Sequence, residues 1–355
     1  RDVERSRGLG DVYKRQAQRC SAQMNSYRSG LCVMRKAAGI QNPAYRLPYN
    51  FLCLTEGVLM KQQTIARNLE IKGIGLHSGC ESVLNLKPAP VDTGIVFKRV
   101  DLPGQPEIRA LYSNVVDTRN CTCLGDKKGN VVSTIEHLMA ALSVAGIDNV
   151  LIEINNQEMP IMDGSALPFI EALQNAGTVE QDAERRSLKV LKPVNFVDDK
   201  GNAVVLRPAD EFSVHFTIEF PSKVVGHQEF NEKITPQCFA EKIAPCRTFC
   251  EKYQVDYLKS VGLIKGGSLE NAVVLDGDTI LNEGGFRLEN ECVNHKVIDA
   301  IGDMYTSGYH IIGAMAANKT GHYHNNELLK KLFADSSNYA ITVSYTHLRA
   351  HETSL

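Results

Sequence analysis

Between Glu291 and Asp303 the chain reads Glu-Cys-Val-Asn-His-Lys-Val-Ile-Asp-Ala-Ile-Gly-Asp, and this stretch limits the possible folds more than any other. As a helix it sets His295, Asp299 and Asp303 at steps of four, one above another on a single face. Val293, Val297, Ile298, Ile301 and Met304 supply apolar contact around the rest of the turn, and Cys292 and Ala300 are small enough to bury. A helix this apolar is expected to be enclosed by protein. An imidazole and two carboxylates in such a place need partners, because an unpaired buried charge is costly. A divalent metal is one such partner, since His-x-x-x-Asp is a workable ligand spacing. Direct pairing of His with Asp, or a stripe facing water, satisfies the same pattern, and this stretch alone does not separate the readings.

The remainder of the chain narrows the class. A length of 355 residues admits two domains or one large one. Net charge is -2, which gives no electrostatic case for nucleic acid. No apolar run approaches the roughly 18–20 residues of a membrane span. Ten cysteines occur without a C-x-x-C pair, a usage that fits reduced thiols in the cytoplasm better than a disulfide framework.

Both ends read as foreign. Gly8–Gln16 and Val343–Thr353 resemble translated sequencing-adapter sequence and are set aside from fold reasoning, as are His347 and His351 in the second of them. The basic, acid-poor residues Ala17–Arg46 superficially suggest a transit peptide, but Met60-Lys-Gln-Gln-Thr reads as a natural start. The expected organisation is a non-native or disordered extension over 1–59, an N-terminal α/β domain over 60–186, a C-terminal α/β domain over 187–341 and an adapter-like tail over 342–355.

Within the first domain, alternation predicts strands over Thr64–Ile71 and Ser82–Leu86, separated by the glycine-rich turn Gly73–Gly79. Ser133-Thr-Ile-Glu136 has the capping-box spacing and opens a helix whose first turn carries Glu136 and His137. A capping job is a sufficient structural reason for Glu136; none is visible for His137. A strand over Ile147–Ile154 and a helix over Pro168–Ala176 follow, with Asp163-Gly164 a turn between them. Polar Thr178–Ser187 reads as a linker. The second domain is expected to hold strands over Leu188–Phe196, Ala203–Pro208, Ser213–Glu219, Ala272–Leu275 and His310–Ala317, with helices over Pro236–Ile243 and Tyr253–Val261. Asn318–Asn326 reads as a loop with two histidines, His322 and His324, either of which has an ordinary loop explanation. Asn325 or Asn326 is expected to cap a last helix over Glu327–Phe333. The strand, strand, strand, helix order in both halves hints at duplication.

Taken together, six segments carry a family resemblance. They are Ser133-Thr-Ile-Glu-His137, Met162-Asp-Gly-Ser165, Cys246-Arg-Thr-Phe249, Gly266-Gly-Ser268, His295 to Asp303 and Gly321-His-x-x-Asn-Asn326. In this order they closely resemble the UDP-3-O-acyl-N-acetylglucosamine deacetylases, zinc amidases that commit a sugar to lipid A synthesis. The resemblance covers about Met60 to Asp335. It implies an α+β fold of two similar layered α/β domains, helices packed between outer β-sheets, with the site between them. Carried over, the Zn2+ ligands are His137, His295 and Asp299, and Glu136 is the general base. By the same resemblance Thr248 steadies the oxyanion, His322 protonates the leaving amine and Asp303 holds His322 charged. Phe249 and the Leu263-Ile264 region match the passage for the fatty acyl chain, and Lys296 matches a residue that reaches the sugar. The implied partner is an acylated UDP-amino-sugar, met by a cytoplasmic monomer without a transmembrane span and in peripheral proximity to the membrane. A zinc hydrolase acting on another N-acyl sugar and a non-catalytic metal-binding protein are the alternatives.

Overall fold

Ten strands form two five-stranded sheets of identical topology. The computed structural model describes residues 59–344; the expectations for 1–58 and for 345–355 lie outside the described residues. In the first half the strands are β1 (Leu69–Ile74), β2 (Glu81–Pro88), β3 (Ile95–Arg99), β4 (Glu107–Arg109) and β5 (Val150–Ile154), in spatial order β1-β2-β5-β3-β4. In the second half they are β6 (Val194–Val197), β7 (Ala203–Arg207), β8 (Ser213–Glu219), β9 (His227–Lys233) and β10 (Ala314–Asn318), in order β6-β7-β10-β8-β9. Adding five to each label of the first order gives the second. The pairing senses repeat as well, with one parallel contact in each sheet, β3 with β5 and β8 with β10, among antiparallel ones. In β2 and β8 burial alternates along the strand, as expected of sheets with one face on the core and one in water.

Each half adds a small three-stranded sheet and then a helix before its last strand, and a second helix after it. The helices longer than two turns are α1 (Glu136–Val144), α2 (Leu167–Ala176), α3 (Lys252–Ser260), α4 (Glu291–Tyr305) and α5 (His322–Ala334), and a short one begins at Pro236–Cys238. The small sheets comprise Val115–Asp117, Cys123–Gly125 and Val131–Val132 in the first half, and Phe249–Glu251, Val273–Asp276 and Thr279–Ile280 in the second. α1 and α4, the equivalent helices, pack against each other. α4 also lies on β8 and β9, α5 on β6 and β7, and α2 on β1. Every residue of α4 but Lys296 is buried, as its all-round apolar sequence requires. The molecule is therefore the α+β build expected, with α1 and α4 buried inside, while α3 lies on the surface.

Several expectations need correction. Thr178–Glu184 is a strand, paired antiparallel with Lys61–Ile65. A ribbon with a wet face keeps polar side chains, so its sequence reads as linker. The strand expected over Leu188–Phe196 divides into Arg186–Val190 and Val194–Val197, interrupted around Pro193, which has no N–H to donate to a ladder. The strand expected over His310–Ala317 likewise divides at Gly313, where a Cβ would lie 2.7 Å from a Val190 methyl. Tyr339–Val343 pairs antiparallel with Arg186–Val190, so ordered packing runs past 341. The last helix begins at His322 rather than Glu327, its first turn closed by the Asn325 amide on the Gly321 carbonyl.

Candidate metal centre

Glu136 does not cap α1. Ser133 instead donates its hydroxyl to the Gln157 carbonyl, and α1 starts at Glu136 without a side-chain cap. Thr134 takes a left-handed conformation, φ 61°, and this reversal between Ser133 and the helix carries the serine away from the first turn. The Glu136 carboxylate is thereby free to turn inward, where it accepts the Thr122 amide at 3.0 Å. Burial raises its pKa to about 7.

Two helices supply the centre. His137 lies in the first turn of α1, and His295 and Asp299 lie on one stripe of α4. One donor atom from each falls within 4.8 Å of the others, and all three residues are buried. Asp299 Oδ1 is 3.5 Å from His295 Nε2 and 3.8 Å from His137 Nε2. A tetrahedral ion with bonds of about 2.0–2.2 Å sets its ligand atoms about 3.3–3.6 Å apart, so these two distances need only small adjustments. The donors also have the right protonation. Burial, with the neighbouring His295, pushes His137 down to about 3, and burial likewise lowers His295, so both imidazoles are neutral with lone pairs to offer. His295 Nδ1 donates to the Cys246 carbonyl at 3.0 Å, which leaves Nε2 as its free lone pair. Burial alone would raise the Asp299 carboxyl, but the Lys296 ammonium beside it holds it far below the usual range. Lys296 Nζ donates to Asp299 Oδ2 at 2.6 Å, leaving Oδ1 for an ion. Two neutral imidazoles and one carboxylate therefore suit a divalent metal such as zinc.

The crossing of α1 and α4 is close enough to exclude any side chain at Gly302. A Cβ there would lie 2.0 Å from the Glu136 carbonyl oxygen. That contact fixes Glu136 and His137 against the turn of α4 that carries Asp299 and Asp303.

His322, the first residue of α5, faces the same centre. Its Nδ1 donates to Asp303 Oδ2 at 2.8 Å, while its Nε2 is 4.0 Å from Asp299 Oδ2. Asp303 also accepts the Asn325 side-chain amide at 2.9 Å and the Thr122 hydroxyl at 2.5 Å. Burial opposes charge on His322, but Asp303 and then Asp299 outweigh it and raise the imidazole to about 9. Thr122 and Asn325 escape the sequence reading. Nothing local marks Thr122, and Asn325 looks like a cap.

A cavity of about 1000 Å³ opens onto these groups. Glu136, His137, His295, Lys296, Asp299, His322 and Thr248 line it, as do Phe249 and Ile264 on its apolar side. Leu263 does not line it. Asp303 sits behind His322, reaching the cavity only through that imidazole. Thr248 is held by its amide, which donates to the Gly164 carbonyl at 2.8 Å. His324 turns to Asp198 at 3.1 Å.

Comparison with known proteins adds a chemical setting. The sequence profile of the UDP-3-O-acyl N-acetylglycosamine deacetylases matches residues 62–334. Among curated relatives, the UDP-3-O-acyl-N-acetylglucosamine deacetylase of Histophilus somni (strain 129Pt) is 43% identical over 276 residues, 77% of this chain and 90% of the relative. The protein of the same name from Neisseria meningitidis (strain Z2491) is 44% identical over 284 residues, 79% of this chain and 92% of the relative. That of Syntrophotalea carbinolica is 42% identical over 286 residues, 81% of this chain and 92% of the relative.

Proposed function

Because this chain belongs to the UDP-3-O-acyl-N-acetylglucosamine deacetylase family, we propose that it hydrolyses the acetamide of UDP-3-O-acyl-N-acetylglucosamine. The products are acetate and the UDP-3-O-acyl-glucosamine that enters lipid A synthesis. The observation that carries this reading is the convergence of His137, His295 and Asp299 from two helices, with Glu136 and His322 flanking them on one cavity. Mere metal binding would need neither flanking group.

Zinc held by His137, His295 and Asp299 would supply positive charge that acidifies water and polarises the acetamide carbonyl. Glu136, whose pKa is raised to about 7, is suited to accept the proton of the attacking water near neutral pH. The Thr248 hydroxyl lines the cavity and donates to the developing oxyanion. His322 Nε2 delivers a proton to the leaving nitrogen while Nδ1 stays on Asp303. Lys296, at the cavity wall beside Asp299, reaches the sugar. The apolar wall containing Phe249 and Ile264 accommodates the acyl chain.

No described helix is long and apolar enough to cross a membrane. All seven described cysteines are free thiols, which suits a reducing compartment. We assign the enzyme to the cytoplasm as a monomer working close to the membrane that receives its acylated substrate, and we place the boundary between its two domains at 186/187. Substituting Glu136→Ala tests the reading. Zinc should stay at about one per chain while acetate release from the acylated UDP-sugar falls by about 100-fold or more. Turnover that survives in the zinc-loaded variant overturns the assignment of the base.

A further inference from the structure

Arg247 and Glu291 form a buried ion pair that the proposed reaction does not use. The Glu291 side chain is fully buried and that of Arg247 is 7% exposed. Arg247 Nε donates to Glu291 Oε1 at 2.9 Å and its terminal nitrogen to Oε2 at 3.2 Å and to the Gly285 carbonyl at 2.8 Å. The Arg287 amide completes the shell on Oε2 at 2.6 Å. Such a pair gives little net stability over well-packed apolar side chains of the same volume. Its location suggests another role.

Glu291 opens α4 one turn before His295, on the stripe that continues through Asp299 and Asp303. Its Oε1 also accepts the backbone amide of Arg247 at 2.9 Å. That amide belongs to the same planar peptide group as the Cys246 carbonyl, which accepts His295 Nδ1 at 3.0 Å. A single peptide group is thus clamped at both ends by residues of α4 four positions apart, N–H on Glu291 and C=O on His295. Rotating that group would release the imidazole, and the next residue along the same chain is Thr248.

We propose that Glu291 is a positioning residue for His295. It acts through the peptide group between Cys246 and Arg247, and Arg247 serves as its counter-ion. The inference rests on the metal reading above. Losing Glu291 frees the peptide to tilt, loosens the Nδ1 hydrogen bond and lets the His295 ring swing. Losing Arg247 alone leaves the peptide amide on its carboxylate acceptor, at a cost in folding stability.

Two variants, R247M and R247M/E291L, separate positioning from packing. Zinc affinity is measured by chelator competition, the ligand field by the visible absorption of the cobalt(II)-loaded protein, and stability by thermal melting. The double variant should bind zinc about 10–100-fold more weakly, with a shifted cobalt band. R247M, which buries an unpaired carboxylate, should melt lower than the double variant yet hold zinc more tightly. Zinc affinity and a cobalt spectrum matching the parent in the double variant overturn the proposal, as does affinity that simply follows melting temperature. Should the double variant not fold, E291Q decides in its place, since its amide sets a donor against two N–H groups while keeping the volume. A parent protein that takes up no zinc, or an H295A variant that takes up as much as the parent, sinks the metal reading instead.

Discussion

Replacing Gly302 with alanine sets two physical effects against each other. Glycine inside a helix is less favourable than alanine by roughly 1 kcal/mol, so propensity alone predicts that G302A stabilises. Packing predicts the opposite. The new methyl would lie 2.0 Å from the Glu136 carbonyl oxygen, 2.8 Å from its carbonyl carbon and 3.0 Å from its Cα. The first of these falls about 1.4 Å short of the 3.4 Å at which ordinary contact begins. All three atoms are backbone, so no rotamer change relieves them and α1 must move off α4. Overpacking of this kind costs about 1–3 kcal/mol net, which for a chain of this size lowers the melting temperature by about 2–5 °C. The displaced residue is Glu136, and His137 moves with it. A shift near 1 Å in groups that must meet a substrate costs on the order of 100-fold in turnover. Thermal melting, zinc content and acetate release measured on one preparation follow all three effects. A variant that melts at or above the parent temperature with turnover within about threefold would refute the claim that this backbone contact sets the site.

Further substitutions probe the other contacts. Asp299→Ala should lose zinc and turnover together, because it removes one of three protein ligands; metal analysis of the folded variant checks this. The pH dependence of kcat/KM should be bell-shaped. Glu136 must be deprotonated to act as base, so the rate rises through its pKa of about 7. His322 must be protonated to act as acid, so the rate falls through about 9. Asp303→Asn removes the charge that most favours the imidazolium, so the falling limb should move to lower pH, which a pH–rate series would show. Gly164→Ala should destabilise by about 2–4 kcal/mol in urea unfolding. Its φ is +83° and its Cβ would lie 1.9 Å from the Asn271 carbonyl oxygen, the contact that holds the Asp163 turn against the second half.

The α4 stripe was legible because a helix repeats every 3.6 residues and the sequence shows that period directly. The strand Ser213–Glu219 was legible through its alternation. Its partner β9 was not. His-Gln-Glu-Phe-Asn-Glu-Lys places only Phe230 as a large apolar side chain, so the strand forms on a template that β8 provides. The capping role that the Ser133–Glu136 spacing suggests is not realised, because the left-handed turn at Thr134 carries Ser133 away from the helix start, and that turn is not legible in the spacing. The clamp between Glu291 and the 246–247 peptide joins positions 44 residues apart through a backbone amide, and no side-chain pattern announces a backbone donor.

Duplication explains the cleft but not its chemistry. Equivalent sheets bring the equivalent helices α1 and α4 into contact, and polar groups can be buried there only if both halves contribute partners. If the helices crossed at matching points, each would offer the same positions and the ligand set would be symmetric. They do not: Glu136 at the start of α1 meets Gly302 near the end of α4. The offset sets the first turn of one helix against the last turn of the other. α1 then brings an acid and an imidazole to a buried helix end beside the cavity, and α4 brings a ligand stripe braced along its length. A small residue at 302 is what allows that offset, and the unequal roles of Glu136 and His322 on either side of the ligand set follow from it.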